Sequence, residues 1–280
     1  MDNVRLRYRL AVLLAVFVMV GAGVMIFSGT AEKMVYYPQP LTPAAGAAIL
    51  VRHPQIKEVS LITADGFRLH GWRVPGIGQR PRPLVIYFGG NADEVSWMID
   101  FAEVFTGWDL LLVNYRGYGL STGTPSQEAL FQDALKLYDH FTTQSGIDAA
   151  RVIILGRSLG SGVATYLASQ RSVQGVLLIT PFDSITEVAC DFYPFLPVRA
   201  VLGDLFNSAA RAPGITTPVR MIIAADDKVV TTERSQKLFD AWGGPKEWVM
   251  LTGVGHNDLH VRHDFWEAIR EFLGRYRYPP

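Results

Sequence analysis

The sequence contains very little cysteine and carries no net charge. Its 280 residues include one cysteine, Cys190, and carry 26 basic against 26 acidic side chains. A single thiol excludes a disulfide framework and a thiolate metal cluster, and an even charge balance without a basic stripe argues against a nucleic-acid partner. Because 49% of the residues are hydrophobic, the chain can bury a large core as one domain. We expect a monomer.

One long apolar run lies at the amino terminus, from Leu10 to Phe27. Its length of about 18 residues approaches what is needed to cross a bilayer. Three arginines lie within residues 1–9 and only Lys33 follows closely, so the amino terminus should be cytoplasmic and the rest of the chain extracytoplasmic, on the periplasmic side. We therefore expect an uncleaved, single-pass transmembrane anchor over residues 10–27. A cleaved signal peptide is the alternative, although residues 28–31 form only a weak cleavage site.

The rest of the chain divides into a linker and a folded domain. Residues 28–54 contain four prolines and are predicted to be a linker, followed by a domain over residues 55–280. In that domain short apolar runs alternate with helical patterns, which predicts an α/β fold with a mostly parallel, twisted sheet and helices on both faces. The first two strands flank Asp65-Gly66, a hairpin signal, and should be antiparallel edge strands. The predicted strands are Val59–Thr63, Phe67–Val74, Leu84–Phe88, Leu110–Asn114, Val152–Leu155, Val176–Thr180, Pro218–Ala224 and Trp248–Thr252.

A serine motif follows the buried strand Val152–Leu155. The sequence Gly156-Arg-Ser-Leu-Gly160 fits the G-x-S-x-G pattern, in which a serine sits at the tip of a tight strand-to-helix turn with its hydroxyl above the sheet. Small residues are needed two positions before and after the serine because larger ones would collide. Ser158 is therefore the candidate nucleophile, and the following helix N-terminus favours negative charge there. A glycine-rich turn without catalytic function is the alternative that the motif alone leaves open.

Two later strand ends carry the other groups that a nucleophilic serine needs. A serine hydroxyl becomes reactive when a neutral imidazole accepts its proton and a carboxylate fixes the tautomer of that imidazole. Asp226 and Asp227 follow the strand Pro218–Ala224, and His256 lies in the glycine-flanked loop after the last strand. We expect Ser158, one of these two aspartates and His256 to meet at one edge of the sheet.

The loop Gly89-Gly90-Asn91-Ala92 follows the buried strand Leu84–Phe88. Backbone amides in such a loop, together with the amide after the nucleophile, can hold the oxyanion of a tetrahedral intermediate. We assign this role to the amides of Asn91 and Leu159, with Gly90 in reserve. An ordinary strand-to-helix turn is the alternative if Ser158 has no catalytic function.

Six short motifs together resemble a known family. They are Tyr37-Pro38, Gly90-Asn91-Ala92, Tyr115-Arg-Gly-Tyr-Gly119 with Pro125-Ser126, Gly156-Arg-Ser-Leu-Gly160, Asp227-Lys-Val-Val230 and Gly255-His-Asn-Asp258. With them, nearly all of the chain from Tyr36 on is similar to the α/β-hydrolase superfamily, and in particular to its membrane-anchored, serine aminopeptidase-like branch, which includes the bud-emergence-type hydrolases. The resemblance implies an α/β-hydrolase fold and a cofactor-free serine hydrolase with Asp227, rather than Asp226, as the acid. Two positions depart from the family: Gly89 stands where a histidine is usual, and Asn114 where an aspartate is common.

The segment from Phe182 to Thr217 is too long for a simple connection between strands and is rich in aromatic residues. We predict that residues 182–217 form a roof over the active site. An apolar roof near a bilayer suits an acyl chain, which favours hydrolysis of a carboxylic ester or thioester with a hydrophobic acyl group through an acyl-enzyme. The residues predicted to contact this small or lipid-like substrate are Phe182, Phe192, Tyr193 and Phe195.

Two other functions stay open at this point. A serine aminopeptidase would need a carboxylate near the nucleophile to hold the ammonium group of its substrate, and Asp183, Glu187 and Asp191 lie in the roof. A membrane-anchored binding module without catalytic activity could use the same scaffold. Intact Ser158, Asp227 and His256 argue against such a module.

Overall fold

The computed structural model describes residues 32–33 and 35–277. The strands are β1 (Lys57–Ile62), β2 (Arg68–Val74), β3 (Arg82–Phe88), β4 (Asp109–Val113), β5 (Ile147–Arg157), β6 (Gly175–Ile179), β7 (Val219–Ala224) and β8 (Lys246–Leu251). They form one sheet with the spatial order β1-β2-β4-β3-β5-β6-β7-β8. The pairs β1–β2 and β2–β4 are antiparallel, and the other neighbours are parallel. Each strand overlaps one predicted from the sequence, so the predicted sheet is confirmed.

Helices cover both faces of the sheet. The α-helices are α1 (Pro43–Arg52), α2 (Gln127–Thr142), α3 (Leu159–Gln170), α4 (Ile185–Phe192), α5 (Val198–Leu202), α6 (Ser208–Arg211), α7 (Thr232–Ala241) and α8 (His263–Tyr276). 3₁₀ helices span Val95–Phe105, Ala212–Gly214 and Leu259–Val261. The roof predicted over residues 182–217 is the helical connection between β6 and β7.

The central strands are apolar throughout because their two faces enter two different cores. In β3, Leu84 and Ile86 join the core that contains α2 and α3, whereas Val85 and Tyr87 join the core that contains α8 and the Val95–Phe105 helix. Side chains alternate across a strand with a period of two. A strand that is covered on both faces therefore needs a continuous apolar run, which is what the sequence shows here.

The strand order creates a crevice next to β5. The connection from β3 leads to β4 on one side, while the connection from β5 leads to β6 on the other, and β3 and β5 are neighbours. In open α/β sheets, ligands bind at such a switch point, outside the carboxyl ends of the strands. The loop after β3 and the serine motif after β5 are thereby placed side by side.

The described part of the segment predicted to be a linker is part of the folded domain. Its residues 35–42, which we call the lead-in segment, lie along the loop after β4, where the Leu41 amide donates to the Gly119 carbonyl at 2.9 Å. Helix α1 follows and packs Ile49 against the core. The prolines keep the backbone extended, and the Tyr36 side chain is buried. The linker prediction over residues 28–54 is therefore wrong for its described part.

The predicted anchor over residues 10–27 and the predicted cytoplasmic residues 1–9 lie outside the described residues. So does the weak cleavage site at residues 28–31. Among the helices that the structure describes, none has both the length and the apolar character needed to cross a bilayer.

A buried carboxylate stabilises the antiparallel corner of the sheet. Asp109, at the start of β4, accepts hydrogen bonds from Arg73 Nε at 2.8 Å, from the Gly76 amide at 2.8 Å and from Arg82. Burial alone would raise the pKa of Asp109, but the bonds from Arg82, Gly76 and Arg73 hold this pKa below its ordinary value. The carboxylate is therefore charged at neutral pH, and its two guanidinium partners offset the cost of burying it.

We expect Asp109→Asn to lower the free energy of unfolding at pH 7 by about 3–5 kcal/mol, because two guanidinium groups lose their counter-charge. The control Asp139→Asn breaks a largely exposed pair with Arg171 and should cost at most about 1 kcal/mol. Since the pKa of Asp109 is lowered by folding, its contribution should be complete above about pH 4 and be lost as the pH falls through the folded-state pKa. Urea unfolding curves measure both variants, and equal losses would contradict this account.

Candidate active site

Ser158 forms the turn between β5 and α3 by itself. Its φ of +49° and ψ of −117° lie in a region that residues other than glycine rarely adopt. The Ser158 amide donates to the Ile179 carbonyl at 2.9 Å, and the Ser158 carbonyl accepts from the Ser161 amide at 2.8 Å. The strained conformation is thus held between β6 and the first turn of α3.

The two motif glycines allow this turn to pack against its neighbours. A Cβ atom on Gly156 would lie 2.3 Å from the Gly160 carbonyl oxygen, and one on Gly160 would lie 2.0 Å from the Phe88 carbonyl oxygen. Both distances are far below a van der Waals contact. Helix α3 can therefore approach the end of β3 only because residue 160 has no side chain.

His256 contacts both Ser158 and Asp227. Its Nε2 atom lies 2.9 Å from Ser158 Oγ, and its Nδ1 atom lies 2.7 Å from Asp227 Oδ2. The other oxygen of Asp227 accepts the amides of Val229 and Val230, each at 2.8 Å. With Nδ1–H donating to the carboxylate, Nε2 is free to accept the serine proton. This geometry is the one that proton transfer from Ser158 requires.

The sequence motifs alone could not decide between Asp226 and Asp227. The structure distinguishes them. Asp227 is the residue whose carboxylate reaches the imidazole, and its side chain is buried. The Asp226 amide instead donates to the Val254 carbonyl at 3.1 Å, in the loop that precedes His256. The loops after β7 and β8 are therefore joined by two contacts, one between Asp227 and His256 and one between Asp226 and Val254.

The loop after β3 lies directly beside Ser158. A Cβ atom on Gly90 would be 3.7 Å from the Cβ atom of Ser158. The Gly90 amide donates to Asp93 Oδ2 at 3.0 Å, so the reserve candidate for the oxyanion site is already occupied. Leu159 is the first residue of α3, and amides in a first helical turn have no partner within the helix. The assignment of Asn91 and Leu159 to the oxyanion stays a prediction.

A buried carboxylate that the sequence did not reveal fixes this loop. Asp93 accepts hydrogen bonds from the Tyr87 hydroxyl at 2.9 Å and from Trp97 Nε1 at 2.6 Å, in addition to the Gly90 amide. Its position three residues after Gly90 is a signal, because a carboxylate there can reach back to a loop amide. Asp93 thereby connects the loop after β3 to Tyr87 of β3 and to the Val95–Phe105 helix.

Arg157 connects the same carboxylate to the histidine loop. Its Nη1 atom lies 3.6 Å from Asp93 Oδ2, and its Nη2 atom donates to Asn257 Oδ1 at 2.8 Å and to the His256 carbonyl at 3.4 Å. This residue occupies the variable position before the serine in the motif. The side chain there ties the loops after β3, β5 and β8 together.

Both departures from the family pattern fit this network. A Cβ atom on Gly89 would lie 3.1 Å from Asp93 Oδ2, so a larger residue would disturb the carboxylate that orders the loop. Asn114 donates to Glu94 Oε1 at 2.8 Å and accepts from the Val95 amide at 3.2 Å. An aspartate at position 114 would place a second carboxylate against Glu94.

A cavity of about 380 Å³ lies beside His256, between the Val95–Phe105 helix and the histidine loop. Its walls are mostly apolar, and aromatic rings pack around it: Phe101 stacks on Trp266 with ring centres 4.4 Å apart, and Trp97 meets His260 edge-on at 5.8 Å. The sequence did not reveal it, because its walls come from five separate parts of the chain. The lining residues are Trp97, Met98, Asp100, Phe101, Arg157, Ile179, His256, Asn257, Leu259, His260 and Phe265.

The four residues predicted to contact the substrate do not line this cavity. Phe182 is completely buried and packs near Gly162 of α3, so it is a core residue. Phe192, Tyr193 and Phe195 are each more than half exposed. The cavity beside His256 is therefore formed without these four residues, and their contact with a substrate stays a prediction.

The three carboxylates considered for an aminopeptidase are already paired. Arg234 bonds Asp183 at 3.0 Å and Asp191 at 2.6 Å, and Glu187 pairs with Arg199 at 2.7 Å. These bonds lower the pKa values of Asp191 and Glu187, whereas burial raises the pKa of Asp183. Among the described acidic, histidine and cysteine side chains, no group of three or more could hold a metal ion.

This sheet, with a serine at the turn after β5 and the aspartate and histidine after β7 and β8, defines an α/β-hydrolase fold. Solved structures with the same fold include the hydrolase GrgF from Penicillium sp. sh18 (TM-score 0.68, 20% identity, 79% of this chain and 99% of that one). Another is an acetyl xylan esterase from Paenibacillus sp. R4 (TM-score 0.64, 18% identity, 88% and 99%).

Sequence comparison identifies the family. Residues 79–209 match the family model described as "Serine aminopeptidase, S33". An uncharacterized protein of Mycobacterium tuberculosis, Rv2307c, is 35% identical, with 95% of this chain and 96% of the relative covered. The α/β-hydrolase domain-containing protein WAV2 of Arabidopsis thaliana is 30% identical, with 91% of each chain covered. The chain belongs to the α/β hydrolases, in the same family as WAV2.

We expect Gly160→Ala to lower the free energy of unfolding by at least about 2–3 kcal/mol, since the added methyl group must displace the end of β3. The matched control is Gly274→Ala in α8, where nothing lies within 4 Å of an added Cβ. That change should be neutral or stabilise by up to about 1 kcal/mol. Thermal unfolding of both variants measures the difference, and an unchanged midpoint for Gly160→Ala would contradict the close packing described here.

Proposed function

We propose that this protein is a membrane-anchored serine hydrolase that cleaves carboxylic ester or thioester bonds through an acyl-enzyme on Ser158. The observation that carries the proposal is the hydrogen-bond chain from Ser158 Oγ through His256 to Asp227, at 2.9 and 2.7 Å. A buried imidazole placed between a hydroxyl and a carboxylate is the arrangement that makes a serine nucleophilic.

The geometry supports a two-step mechanism. His256 Nε2 takes the Ser158 proton while Oγ attacks the carbonyl carbon, and the oxyanion accepts hydrogen bonds from the Asn91 and Leu159 amides. The bond to the leaving oxygen or sulfur then breaks, and the imidazolium gives its proton to that atom. Water, deprotonated by the same imidazole, attacks the acyl-enzyme and releases the acid, which restores Ser158.

The substrate that the site suits best has an apolar part. The cavity beside His256 is lined mainly by apolar and aromatic side chains, as in sites that bind hydrophobic groups. At about 30 Å³ per water-sized or methylene-sized group, its volume of about 380 Å³ has room for about a dozen such groups. Several structures with this fold, such as the esterase Pf2001 of Pyrococcus furiosus, are named as esterases.

A peptidase fits the structure less well. The family model carries the name of a serine aminopeptidase, but Asp183, Glu187 and Asp191 are bonded to arginines. A carboxylate that is already neutralised attracts a substrate ammonium group weakly. The arrangement of Ser158, His256 and Asp227 argues equally against a binding module without catalytic activity, because binding needs no such chain.

The anchor is part of the proposal. The apolar run from Leu10 to Phe27 follows three arginines, which orients the amino terminus to the cytoplasm and the hydrolase domain to the other side. A relative in Saccharomyces cerevisiae, 28% identical over 78% of this chain, is named as a membrane protein.

We expect a fluorophosphonate probe to label the full-length protein and Ser158→Ala to abolish the labelling, because the probe reacts with an activated serine. Ser161→Ala is the matched control. Its hydroxyl lies three residues further on in the same helix, is fully buried and has no hydrogen-bond partner. Absence of labelling in the folded protein, or labelling that persists in Ser158→Ala, would contradict the proposed activity.

Asp227→Asn should lower kcat for a p-nitrophenyl ester by about a thousandfold or more, because the histidine would be left in the wrong tautomer. Asp226→Asn changes the neighbouring carboxylate in the same way and should keep kcat within about threefold of the wild type. Steady-state kinetics on both variants, with circular dichroism to verify folding, distinguish the two aspartates. Equal losses would remove Asp227 from the proposed mechanism.

A further inference from the structure

The end of α4 and the residues after it form an exposed apolar surface. Phe192 is 53% exposed, Tyr193 59%, Phe195 98% and Leu196 61%. We call Phe192–Leu196 the roof tip. The other large apolar side chains that are exposed in the described chain are scattered along the sequence. A cluster of this kind marks an interaction surface, because isolated exposure is common and contiguous exposure is not.

The first described residues lie at the base of this roof. The Glu32 carboxylate accepts the Gln127 amide at 2.8 Å, and the Gln127 side chain in turn accepts the amide of Phe206 in the roof. The Ile185 amide donates to the Leu205 carbonyl at 3.0 Å, which closes the roof at its base. Glu32 and the roof thus share Gln127 as a neighbour.

The lead-in segment is also bound to the loop beside Ser158. The side chain of Asn91 donates to the Val35 carbonyl and accepts the Tyr37 amide at 2.9 Å. The Tyr118 hydroxyl donates to the same Asn91 oxygen at 2.9 Å, and burial raises the pKa of Tyr118 to about 12, so this donor stays protonated at neutral pH. The start of the described chain therefore lies against the catalytic edge of the sheet.

These contacts place three features at one edge. Asn91 follows β3, Ser158 follows β5 and the roof follows β6, and carboxyl ends of parallel strands share one edge of a sheet. Only four residues, 28–31, separate Glu32 from the apolar run that ends at Phe27. Five residue steps reach at most about 18 Å. An anchor at residues 10–27 would therefore keep this edge close to the bilayer surface.

We propose that the roof tip contacts the lipid bilayer and holds the active site at the membrane, so that the substrates are acyl groups carried by the membrane. The inference rests on the proposed function for its anchor and its nucleophile. Phe, Tyr and Leu side chains beside a bilayer enter the interface rather than stay in water. An ester or thioester whose acyl chain lies in the same bilayer then reaches Ser158 without crossing bulk water.

Fluorescence quenching at single positions tests the contact. Full-length protein with Cys190→Ser is reconstituted in phosphatidylcholine vesicles, and a nitrobenzoxadiazole fluorophore is attached to Phe195→Cys. The matched control is Ile77→Cys, at another apolar residue that is 76% exposed. Val18→Cys, inside the predicted anchor, reports on the anchor itself. A phospholipid with a nitroxide on its acyl chain is the quencher.

We expect the nitroxide lipid to quench positions 195 and 18 by at least half and position 77 by less than a tenth. Quenching at 195 no stronger than at 77 would overturn the inference, whatever happens at 18. Quenching that is absent at 18 would contradict the proposed anchor. Fluorophosphonate labelling of the same samples reports on Ser158, so failure of the proposed activity is distinguished from failure of the bilayer contact.

An activity measurement tests the substrate class. Leu196→Ser should lower the hydrolysis of a long-chain p-nitrophenyl ester embedded in vesicles at least fivefold, whereas hydrolysis of dissolved p-nitrophenyl butyrate stays within twofold. The control Ile77→Ser should change neither rate. Equal losses for the two substrates, or no loss with the embedded ester, would overturn the inference that the roof tip delivers membrane-borne substrates.

Discussion

The site depends on one imidazole, that of His256, which contacts a serine on one side and a carboxylate on the other. The three side chains are far apart in sequence, and each stands on a loop of its own. They meet because β5, β7 and β8 run parallel and end at the same edge of the sheet. The apolar runs that form these strands are therefore as much a part of the chemistry as the polar residues that follow them.

The loops at this edge are held by buried polar groups. Asp93 orders the loop after β3, Arg157 links it to the histidine loop, and the amides after Asp227 fix the acid. Pre-organised groups of this kind do not have to rearrange when charge develops in a transition state. The positive φ of Ser158 is a strained backbone conformation, and the surrounding hydrogen bonds hold it in place.

The sequence predicted the sheet, Ser158 and His256 because each leaves a local signal, whereas the choice of Asp227 over Asp226 came from the family resemblance. Buried strands are continuous apolar runs, and the serine turn has a glycine pattern that close packing of β3 and α3 demands. Contacts between distant segments leave no such signal. The cavity, the Asp93–Arg157 link and the attachment of the lead-in segment to Asn91 all depend on side chains that only the fold brings together. Prolines in the lead-in segment indicated a spacer, whereas its buried Tyr36 shows packing.

The roof was interpreted by composition alone, and composition does not tell which side of a short helix faces the core. Phe182 belongs to the interior, while Phe195, three residues after the end of α4, is exposed. The aromatic residues of the roof therefore fall into two groups. The buried group stabilises the domain, and the exposed group provides the surface from which we infer contact with a bilayer.

Trapping the acyl-enzyme tests whether Ser158 is the nucleophile. The full-length protein is mixed with an excess of a p-nitrophenyl ester and stopped with acid within milliseconds, and its tryptic peptides are then mapped by mass spectrometry. We expect an acyl group on Ser158 whose amount rises before steady turnover begins. Turnover with no acyl group on Ser158, or with the acyl group on a different residue, would contradict it.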